Sequence, residues 1–377
     1  MNRDLAHKRP WLFASLLLAT ASLGACDNTT TDVRFDDKDR GITVKEPEKA
    51  LREKCYGVAI AQAQRQRIIC PTGGNICPPE PVSIKVVACN RASLFQMNNI
   101  PAALAKATDL LQATSETPRL DAELLMAHAL RIDRSTLLLR MRDFETPSEF
   151  DFLVARRSAH EPVAYIMGRQ DFWDLSLEVT PDVLIPRGDS ETLIEAAQKH
   201  FAESSPPLRI LDLGTGSGAL LLAALSLFPA ATGIGIDASA AALTVAQRNA
   251  DSLGFAIRCQ LQHVSWLDKD WAEGIGTFDL ILCNPPYVES ALPLMPSVQN
   301  YEPHSALFSG PDGLDDYRIL IPQILALLSP AGIAIFEIGA GQAAHVSEIA
   351  QTAGMAASAH ADLADIPRAL VMAAKTA

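Results

Sequence analysis

The chain reads Leu-Arg-Ile-Leu-Asp-Leu-Gly-Thr-Gly-Ser-Gly over residues 208–218. The mostly apolar residues before the first glycine predict a buried strand, and the apolar residues 219–228 that follow predict a helix. Glycine at positions 214, 216 and 218 lets the backbone approach a ligand, because a side chain there would hold the ligand away. Strand, glycine turn and helix together indicate the opening unit of a doubly wound, nucleotide-binding α/β sheet.

A second apolar run ends in an acid about 20 residues downstream. Ile-Gly-Ile-Asp over residues 234–237 predicts a strand whose last residue, Asp237, can accept hydrogen bonds from both hydroxyls of a ribose. A lysine and a Ser/Thr at the spacing of a phosphate-binding P-loop are missing here, and the glycines of the turn follow the spacing GxGxG. This pattern favours an adenosine ligand without phosphate, namely S-adenosylmethionine, bound by Gly214, Thr215, Gly216, Ser217 and Gly218.

A third apolar run, residues 278–283, stops at Asn284, Pro285, Pro286 and Tyr287. The prolines fix the backbone and remove two N–H donors. Asn284 and the Pro285 carbonyl can therefore form a rigid pair of acceptors at the end of the strand, where open α/β sheets bind ligands. Such a pair suits a planar NH2 group whose nitrogen gains positive charge as it attacks an electrophile. We expect Tyr287 to supply a stacking face.

Length and charge limit the classes of function. A chain of 377 residues predicts two or three domains. The net charge of −12 is uneven, because residues 1–96 carry 14 basic and 10 acidic side chains and the remainder carries 18 and 34. The net charge of −16 on residues 97–377 argues against non-specific binding of nucleic acid.

The first 96 residues differ in character from the rest. Residues 1–26 have the layout of a secretory signal, and Leu-Gly-Ala-Cys before residue 27 resembles a bacterial lipobox. Residues 27–96 hold four further cysteines, which allow three disulfide pairings. The periplasm offers no S-adenosylmethionine, so an exported chain would not meet this ligand. We therefore expect residues 1–96 to be a mis-assigned start or a fusion, with the working protein in the cytoplasm.

Helical and then strand-like patterns fill the middle of the chain. Residues 97–160 predict a small domain of four helices, with Thr-Pro at 117–118 and at 146–147 as start signals. Alternation over 172–179 and the short run 183–187 predict a hairpin that links the domains within 161–187. The next helix is expected over 190–201, capped by Asp189 or Ser190, and opens a domain over 188–377.

Taken in order, these motifs resemble the class I methyltransferases that act on planar amino groups. The flanking sequence is similar to the glutamine-N5 methyltransferases of peptide chain release factors. The stretches that carry this resemblance are residues 161–168, 172–173, 184–187 with Asp189 and Glu191, and 312–314 before 317–318.

The resemblance implies a helical substrate-recognition domain before a Rossmann-like, seven-stranded, S-adenosylmethionine-dependent methyltransferase domain. It further implies methyl transfer to the glutamine of a Gly-Gly-Gln motif in release factors, with Trp266 against the cofactor's adenine and residues 284–287 on the substrate glutamine. We expect a monomer without a metal, nucleic acid or membrane partner. Gly188 stands where the family usually has proline, which loosens the loop and weakens any role for Arg187 or Glu191.

Three alternatives stay open at this point. A nucleic-acid adenine or cytosine methyltransferase would use the same acceptor pair on a flipped base. A ribosomal protein glutamine methyltransferase shares nearly every motif. Residues 1–96, taken alone, would predict an envelope lipoprotein. We interpret His263 as a structural hydrogen-bonding residue and Cys283 as part of the core.

Overall fold

The computed structural model describes residues 33–35, 42–44 and 99–375. The predicted signal, the lipobox and the cysteine pairings lie outside the described residues. The chain divides into two compact units, one of residues 1–103 with 141–146 and the other of 104–140 with 147–377. In the first unit two short strands, β1 (Val33–Phe35) and β2 (Ile42–Val44), pair antiparallel.

Four helices lie where the sequence predicts a helical region. The spacing of Leu104, Ala107, Leu110 and Leu111 predicts one apolar helix face; Leu104, Ala107 and Leu111 are buried, but Leu110 is 54% exposed, so its assignment to that face is wrong. In the part of the chain that the structure describes, no helix has both the length and the apolar character needed to cross a bilayer. The helices are α1 (Ile100–Leu111), α2 (Pro118–Leu130), α3 (Arg134–Arg140) and α4 (Phe150–Ser158), followed by the short α5 (Val163–Met167).

The two predicted helix starts have different outcomes. Pro118 is the first residue of α2, as predicted, but the Thr117 hydroxyl donates to Asp121 (3.1 Å) instead of capping the backbone. The start predicted at 146–147 is wrong, because a turn closed by the Phe150 N–H and the Pro147 carbonyl (3.1 Å) precedes α4. A proline that supplies a turn acceptor is indistinguishable in sequence from one that opens a helix.

The predicted hairpin exists, but its strands lie elsewhere. The single strand expected over 172–179 folds back on itself as β3 (Arg169–Phe172) and β4 (Leu175–Glu178), with Phe172 opposite Leu175. Trp173 turns the chain in the left-handed region at φ 56°, and its N–H donates to the Glu191 carboxylate (2.9 Å). Residues 183–187, the expected partner strand, form an unpaired segment.

A seven-stranded sheet forms the core of the second unit. Its strand order is β10-β11-β9-β8-β5-β6-β7, and β5 to β9 are parallel to one another while β10 and β11 are antiparallel to their neighbours. This confirms the predicted mainly parallel α/β sheet of seven strands. The strands are β5 (Arg209–Leu213), β6 (Thr232–Asp237), β7 (Cys259–His263), β8 (Phe278–Cys283), β9 (Leu328–Glu337), β10 (Met355–Ala361) and β11 (Pro367–Ala374).

Helices cover both faces of the sheet, so the parallel strands are apolar on both sides. Side chains alternate between two hydrophobic clusters: Leu280 and Leu282 join one, while Ile281 and Cys283 join the other. The expectation that Cys283 belongs to the core is confirmed, since its side chain is fully buried. The remaining helices are α6 (Glu191–Phe201), α7 (Ala219–Leu227), α8 (Ala240–Ser252), α9 (Pro296–Tyr301), α10 (Asp315–Ile324) and α11 (Ala343–Thr352).

The buried side chain of Asn249 on α8 joins the hairpin to the glycine turn. Its Oδ1 accepts from the Glu178 N–H (2.7 Å), and its Nδ2 donates to the carbonyls of Glu178 (3.0 Å) and Ser217 (2.9 Å). Three backbone groups from two distant parts of the chain are thus satisfied by one amide. The end of β4 and the turn after β5 are held at a fixed separation.

Gly233 on β6 sets how closely α7 packs on the sheet. A Cβ at this position would lie 2.5 Å from Leu221 Cδ1 and 3.6 Å from Leu225 Cδ2, with the backbone of Gly233 outside the left-handed region. The absence of a side chain, and not an unusual φ, is therefore what this position needs.

We expect Gly233→Ala to lower the free energy of unfolding by about 1–3 kcal/mol, because the added methyl group pushes α7 away from β6. Chemical denaturation of the full chain measures this. Gly188→Ala is the matched control, since a Cβ there has no heavy atom within 4 Å and φ is not positive. Equal stability of the two variants would contradict the argument.

Candidate active site

A cavity of about 320 Å³ opens at the carboxyl edge of β5, β6 and β8. The chain runs outward from β5 to β7 and returns through β8 on the other side of β5, so the cavity lies where the strand order reverses. Its lining combines the predicted residues Gly214, Thr215, Gly216, Ser217, Asp237, Trp266, Asn284 and Pro286 with Phe172, Asp182, Val183, Leu184, Pro186, Ser190, Asp212, Ala219, Leu220, Ala238, Ser239, Ala242, Pro303, Ser305 and Ala306.

The glycine turn adopts a conformation that other residues rarely take. Gly214, Gly216 and Gly218 have φ of 73°, 54° and 86°. A Cβ at Gly214 would lie 3.1 Å from two ring atoms of Trp266, so the indole packs directly on the bare backbone. The Trp266 Nε1–H donates to Asp316 (2.8 Å), which fixes the ring at the cavity wall.

Asp237 is held at the end of β6 by two backbone N–H groups. Its Oδ2 accepts from Gly216 (2.9 Å) and its Oδ1 from Ser239 (2.8 Å). Burial raises the pKa of Asp237, although these two hydrogen bonds act in the opposite direction. The carboxylate faces the cavity with lone pairs to spare, as a ribose ligand requires.

Asp212 in β5 is a cavity residue that none of the predicted site motifs includes. Thr215 Oγ1 donates to its Oδ2 (2.6 Å), while Oδ1 is buried without a hydrogen-bond partner among the described residues. Burial raises the pKa of Asp212 to about 7. A buried acceptor without a partner fits a ligand that brings a donor or a positive charge. An acid inside an otherwise apolar strand was the available sequence signal.

Asn284 begins a buried chain of hydrogen bonds. Its Nδ2 donates to Ser190 Oγ (3.3 Å), and Ser190 Oγ donates in turn to Glu337 Oε2. The Tyr287 hydroxyl donates to the other carboxylate oxygen of Glu337 (2.9 Å). Glu337 ends strand β9, is 1% exposed, and lies 147 residues from Ser190 in the chain.

Two residues of this hydrogen-bond chain, Ser190 and Tyr287, differ from expectation. Ser190 precedes α6 but its side chain makes no cap hydrogen bond, so the predicted cap role of Ser190 is wrong and the hydroxyl serves Glu337 and Asn284 instead. Tyr287 has its hydroxyl bound to Glu337 and, with Pro285 and Gly218, is not among the residues that line the cavity. The stacking role of Tyr287 stays a prediction.

The loop around Gly188 is anchored on both sides. Arg187 forms an ion pair with the buried Glu302, which also accepts from the Ile185 N–H (3.2 Å). Asp189 pairs with Arg368 (2.9 Å). These contacts hold the cavity wall formed by Leu184 and Pro186, although proline is missing at position 188.

His263 has the structural role expected of it. Its Nε2 lies 2.9 Å from the Ala238 carbonyl oxygen, which joins the end of β7 to the residue after β6. The imidazole is exposed and is not part of the cavity lining.

Comparison with known proteins agrees with this arrangement. Residues 102–168 match the PrmC N-terminal domain, and residues 204–352 match a methyltransferase domain. A release factor glutamine methyltransferase of Bradyrhizobium diazoefficiens is 41% identical over 273 residues, which cover 70% of this chain and 91% of that protein. One from Rhodospirillum rubrum is 44% identical over 246 residues, 64% of this chain and 74% of the relative.

The chain belongs to the release factor glutamine methyltransferase family. It is also similar to the crystal structure of a release factor-specific protein-(glutamine-N5) methyltransferase from Alicyclobacillus acidocaldarius, with 25% identity, a TM-score of 0.33, and coverage of 53% of this chain and 100% of that one. The matches to the PrmC N-terminal domain and to the two curated relatives confirm the resemblance inferred from the glycine turn, the Asn-Pro-Pro-Tyr motif and the flanking stretches.

As a methyltransferase of this family, the protein carries Asp212 as a buried carboxyl whose ionisation opposes folding. Its pKa is about 7 in the folded state and near 3.8 ordinarily, so the folded state holds the proton more tightly. We expect the stability of the wild type, relative to Asp212→Asn, to fall as pH rises from about 4 to about 7, by up to about 4 kcal/mol. Denaturation at a series of pH values measures the difference.

Asp279→Asn is the control with the opposite sign. Burial acts to raise the pKa of Asp279, but hydrogen bonds from Ser329 and from the N–H groups of Leu208 and Arg209 lower it, and the net direction is down. The wild type should therefore lose stability relative to Asp279→Asn only as pH falls below about 4. A flat difference for Asp212→Asn between pH 4 and 7 would contradict the assignment.

Proposed function

We propose that the protein transfers a methyl group from S-adenosylmethionine to the side-chain nitrogen of the glutamine in the Gly-Gly-Gln motif of peptide chain release factors. The observation that carries this proposal is the orientation of the Asn284 side-chain amide. Its NH2 group is engaged by Ser190 (3.3 Å), which leaves Oδ1 as an acceptor beside the cavity. Family membership supports the choice of substrate.

S-adenosylmethionine fits the residues that line the cavity. Asp237 would accept from the ribose hydroxyls, and Trp266 would lie against the adenine. The turn of Gly214 to Gly218 would follow the ligand closely, since its backbone carries no Cβ at three of five positions. Asp212, with one oxygen unpartnered, suits the positively charged end of the ligand. When bound, S-adenosylmethionine supplies a methyl group on a sulfonium that leaves as a neutral thioether.

The protein's part in the chemistry is to hold a poor nucleophile. The lone pair of an amide nitrogen is delocalised into its carbonyl group, so the nitrogen must be turned toward the methyl carbon. Asn284 Oδ1 and the Pro285 carbonyl would accept its two hydrogens, fix that orientation and stabilise the positive charge that develops on nitrogen. The surplus proton then leaves the nitrogen for water, so no strong base is required.

The cytoplasm is the proposed place of action, because release factors and S-adenosylmethionine meet there. The protein would act as a monomer, with the region 97–160 contacting the release factor.

Mass analysis of the native amino terminus tests the proposed location. A lipidated Cys26 joined to the methyltransferase would overturn the location while leaving the chemistry untouched.

We expect Asp237→Asn to weaken S-adenosylmethionine binding about ten- to a hundredfold, because an amide cannot accept on both sides from Gly216, Ser239 and the ribose. Titration calorimetry of the full chain measures the affinity. Asp279→Asn is the matched control: this carboxylate also accepts two backbone N–H groups but lies near the amino end of β8. An unchanged affinity for Asp237→Asn would remove Asp237 from the cofactor site.

We expect Asn284→Ala to abolish methyl transfer to a release factor while S-adenosylmethionine still binds. Transfer from labelled cofactor onto a release factor, a ribosomal protein fraction and DNA, run side by side, measures this. Label on the release factor should vanish when its Gly-Gly-Gln glutamine is changed. Gln247→Ala, on the exposed face of α8, is the control variant. Label on DNA or the ribosomal fraction alone would overturn the substrate assignment.

A further inference from the structure

The buried carboxylate of Glu337 is not explained by cofactor binding or by the acceptor pair. It is 1% exposed and receives hydrogen bonds from Ser190 on one oxygen and from Tyr287 on the other. Both donors lead back to the Asn-Pro-Pro-Tyr motif, because Ser190 also accepts from Asn284. Burying an apolar side chain at the end of β9 would cost less free energy than burying a carboxylate, which suggests that the carboxylate has a specific role.

The reason lies in the direction of the hydrogen bonds. An ionised carboxylate can only accept, whereas a serine hydroxyl has a single hydrogen to give. Ser190 gives that hydrogen to Glu337, so toward Asn284 its oxygen is an acceptor. Asn284 must therefore turn its NH2 group toward Ser190, and its Oδ1 is left for the cavity.

We propose that Glu337 is a positioning residue that decides, through Ser190, which atom of the Asn284 amide faces the substrate. This inference rests on the proposed function, in which the substrate nitrogen needs an acceptor. With the amide reversed, an NH2 group would face the substrate NH2 group, and two donors cannot bond to each other. The hydrogen-bond relay from Glu337 through Ser190 to Asn284 thus selects the productive one of the two nearly isosteric orientations of the Asn284 amide.

Tyr287 strengthens the same assignment. Burial first, and the neighbouring Glu337 second, raise the pKa of the Tyr287 hydroxyl, which therefore keeps its proton and donates. Burial raises the pKa of Glu337, while the hydrogen bonds from Ser190 and Tyr287 and the positive charge of Arg368 act in the opposite direction and favour the ionised, accepting form. A third hydroxyl, that of Tyr317, donates to the Glu337 backbone carbonyl (2.8 Å) and does not touch the carboxylate.

The test compares Glu337→Gln with the wild type in the full chain. A glutamine amide of the same size can donate to Ser190, which frees the Ser190 hydrogen to donate to Asn284 Oδ1 and reverses the relay. We expect kcat for release factor methylation to fall about ten- to a hundredfold while the affinity for S-adenosylmethionine is unchanged. Ser190→Ala removes the relay without altering Glu337 and should lower kcat in the same way.

Tyr317→Phe is the matched control. It deletes one buried hydrogen bond to the same residue, Glu337, and should lower stability, but it leaves the carboxylate and its two donors in place. We expect kcat to stay at the wild-type value. A loss of kcat in Tyr317→Phe equal to that in Glu337→Gln would show that Glu337 acts only through stability, and would overturn the proposal.

A double-mutant cycle separates orientation from general damage. Asn284→Asp presents an oxygen to the cavity in either rotamer, so there is no amide left to orient. Glu337→Gln should then cost little in the Asn284→Asp background. An equal cost in both backgrounds would contradict an orienting role.

A readout without turnover completes the design. Neutron diffraction from crystals of the wild type and of Glu337→Gln locates the amide deuterons of Asn284. We expect Oδ1 toward the cavity in the wild type and the ND2 group there in the variant; the same orientation in both would refute the inference. A wild type that fails to methylate release factors would refute the proposed function instead, and the diffraction result would still decide the orientation.

Discussion

Strands that are buried on both faces expose side chains to a ligand only at their ends, and the rest of the site depends on this constraint. Strands β6 and β9 end at Asp237 and Glu337, and Asn284 directly follows β8. Because β5 to β9 run parallel, these ends meet at one edge of the sheet. The glycine turn after β5 occupies the same edge, where the strand order reverses. Cofactor contacts and substrate contacts are therefore neighbours by topology.

Two buried carboxyls at this edge show how differently burial can be used. Asp212 has one oxygen without a partner in the part of the chain that the structure describes, and the negative charge of Asp237 further opposes its ionisation. Glu337 is compensated by two hydroxyl donors and the nearby positive charge of Arg368. The first is suited to be satisfied by a ligand, whereas the second already belongs to the protein's own framework. Position in the strand does not distinguish them; the number of donors does.

Much of the fold and part of the site could be predicted from sequence, for a physical reason. Apolar runs, the glycine turn and the residues that end each strand are local signals, which is why they predict β5, β6, β8 and the cavity residues Asp237 and Asn284. Trp266 was predicted only from the family resemblance. Glu337 ends an apolar run in the same way and could have been found by the same rule. Ser190 could not, because its role depends on partners 94 and 147 residues away.

Local signals also failed where two structures share one pattern. The alternation over 172–179 fits a single strand as well as a tight hairpin, and the turn at Trp173 depends on a hydrogen bond to Glu191. Similarly, Pro147 opens a turn and not a helix. In both places a tertiary or turn contact, absent from the pattern, decides the backbone.

The three hydrogen bonds of Asn249 have a consequence for how the molecule can be divided. They tie Ser217, in the cofactor turn, to Glu178, at the end of the hairpin before the sheet begins. A chain cut after the hairpin would leave a buried amide without two of its three hydrogen bonds and the cofactor turn without its outer support. The hairpin is therefore not a spacer between modules but a wall of the catalytic one, and the smallest piece that can retain the site begins upstream of β3.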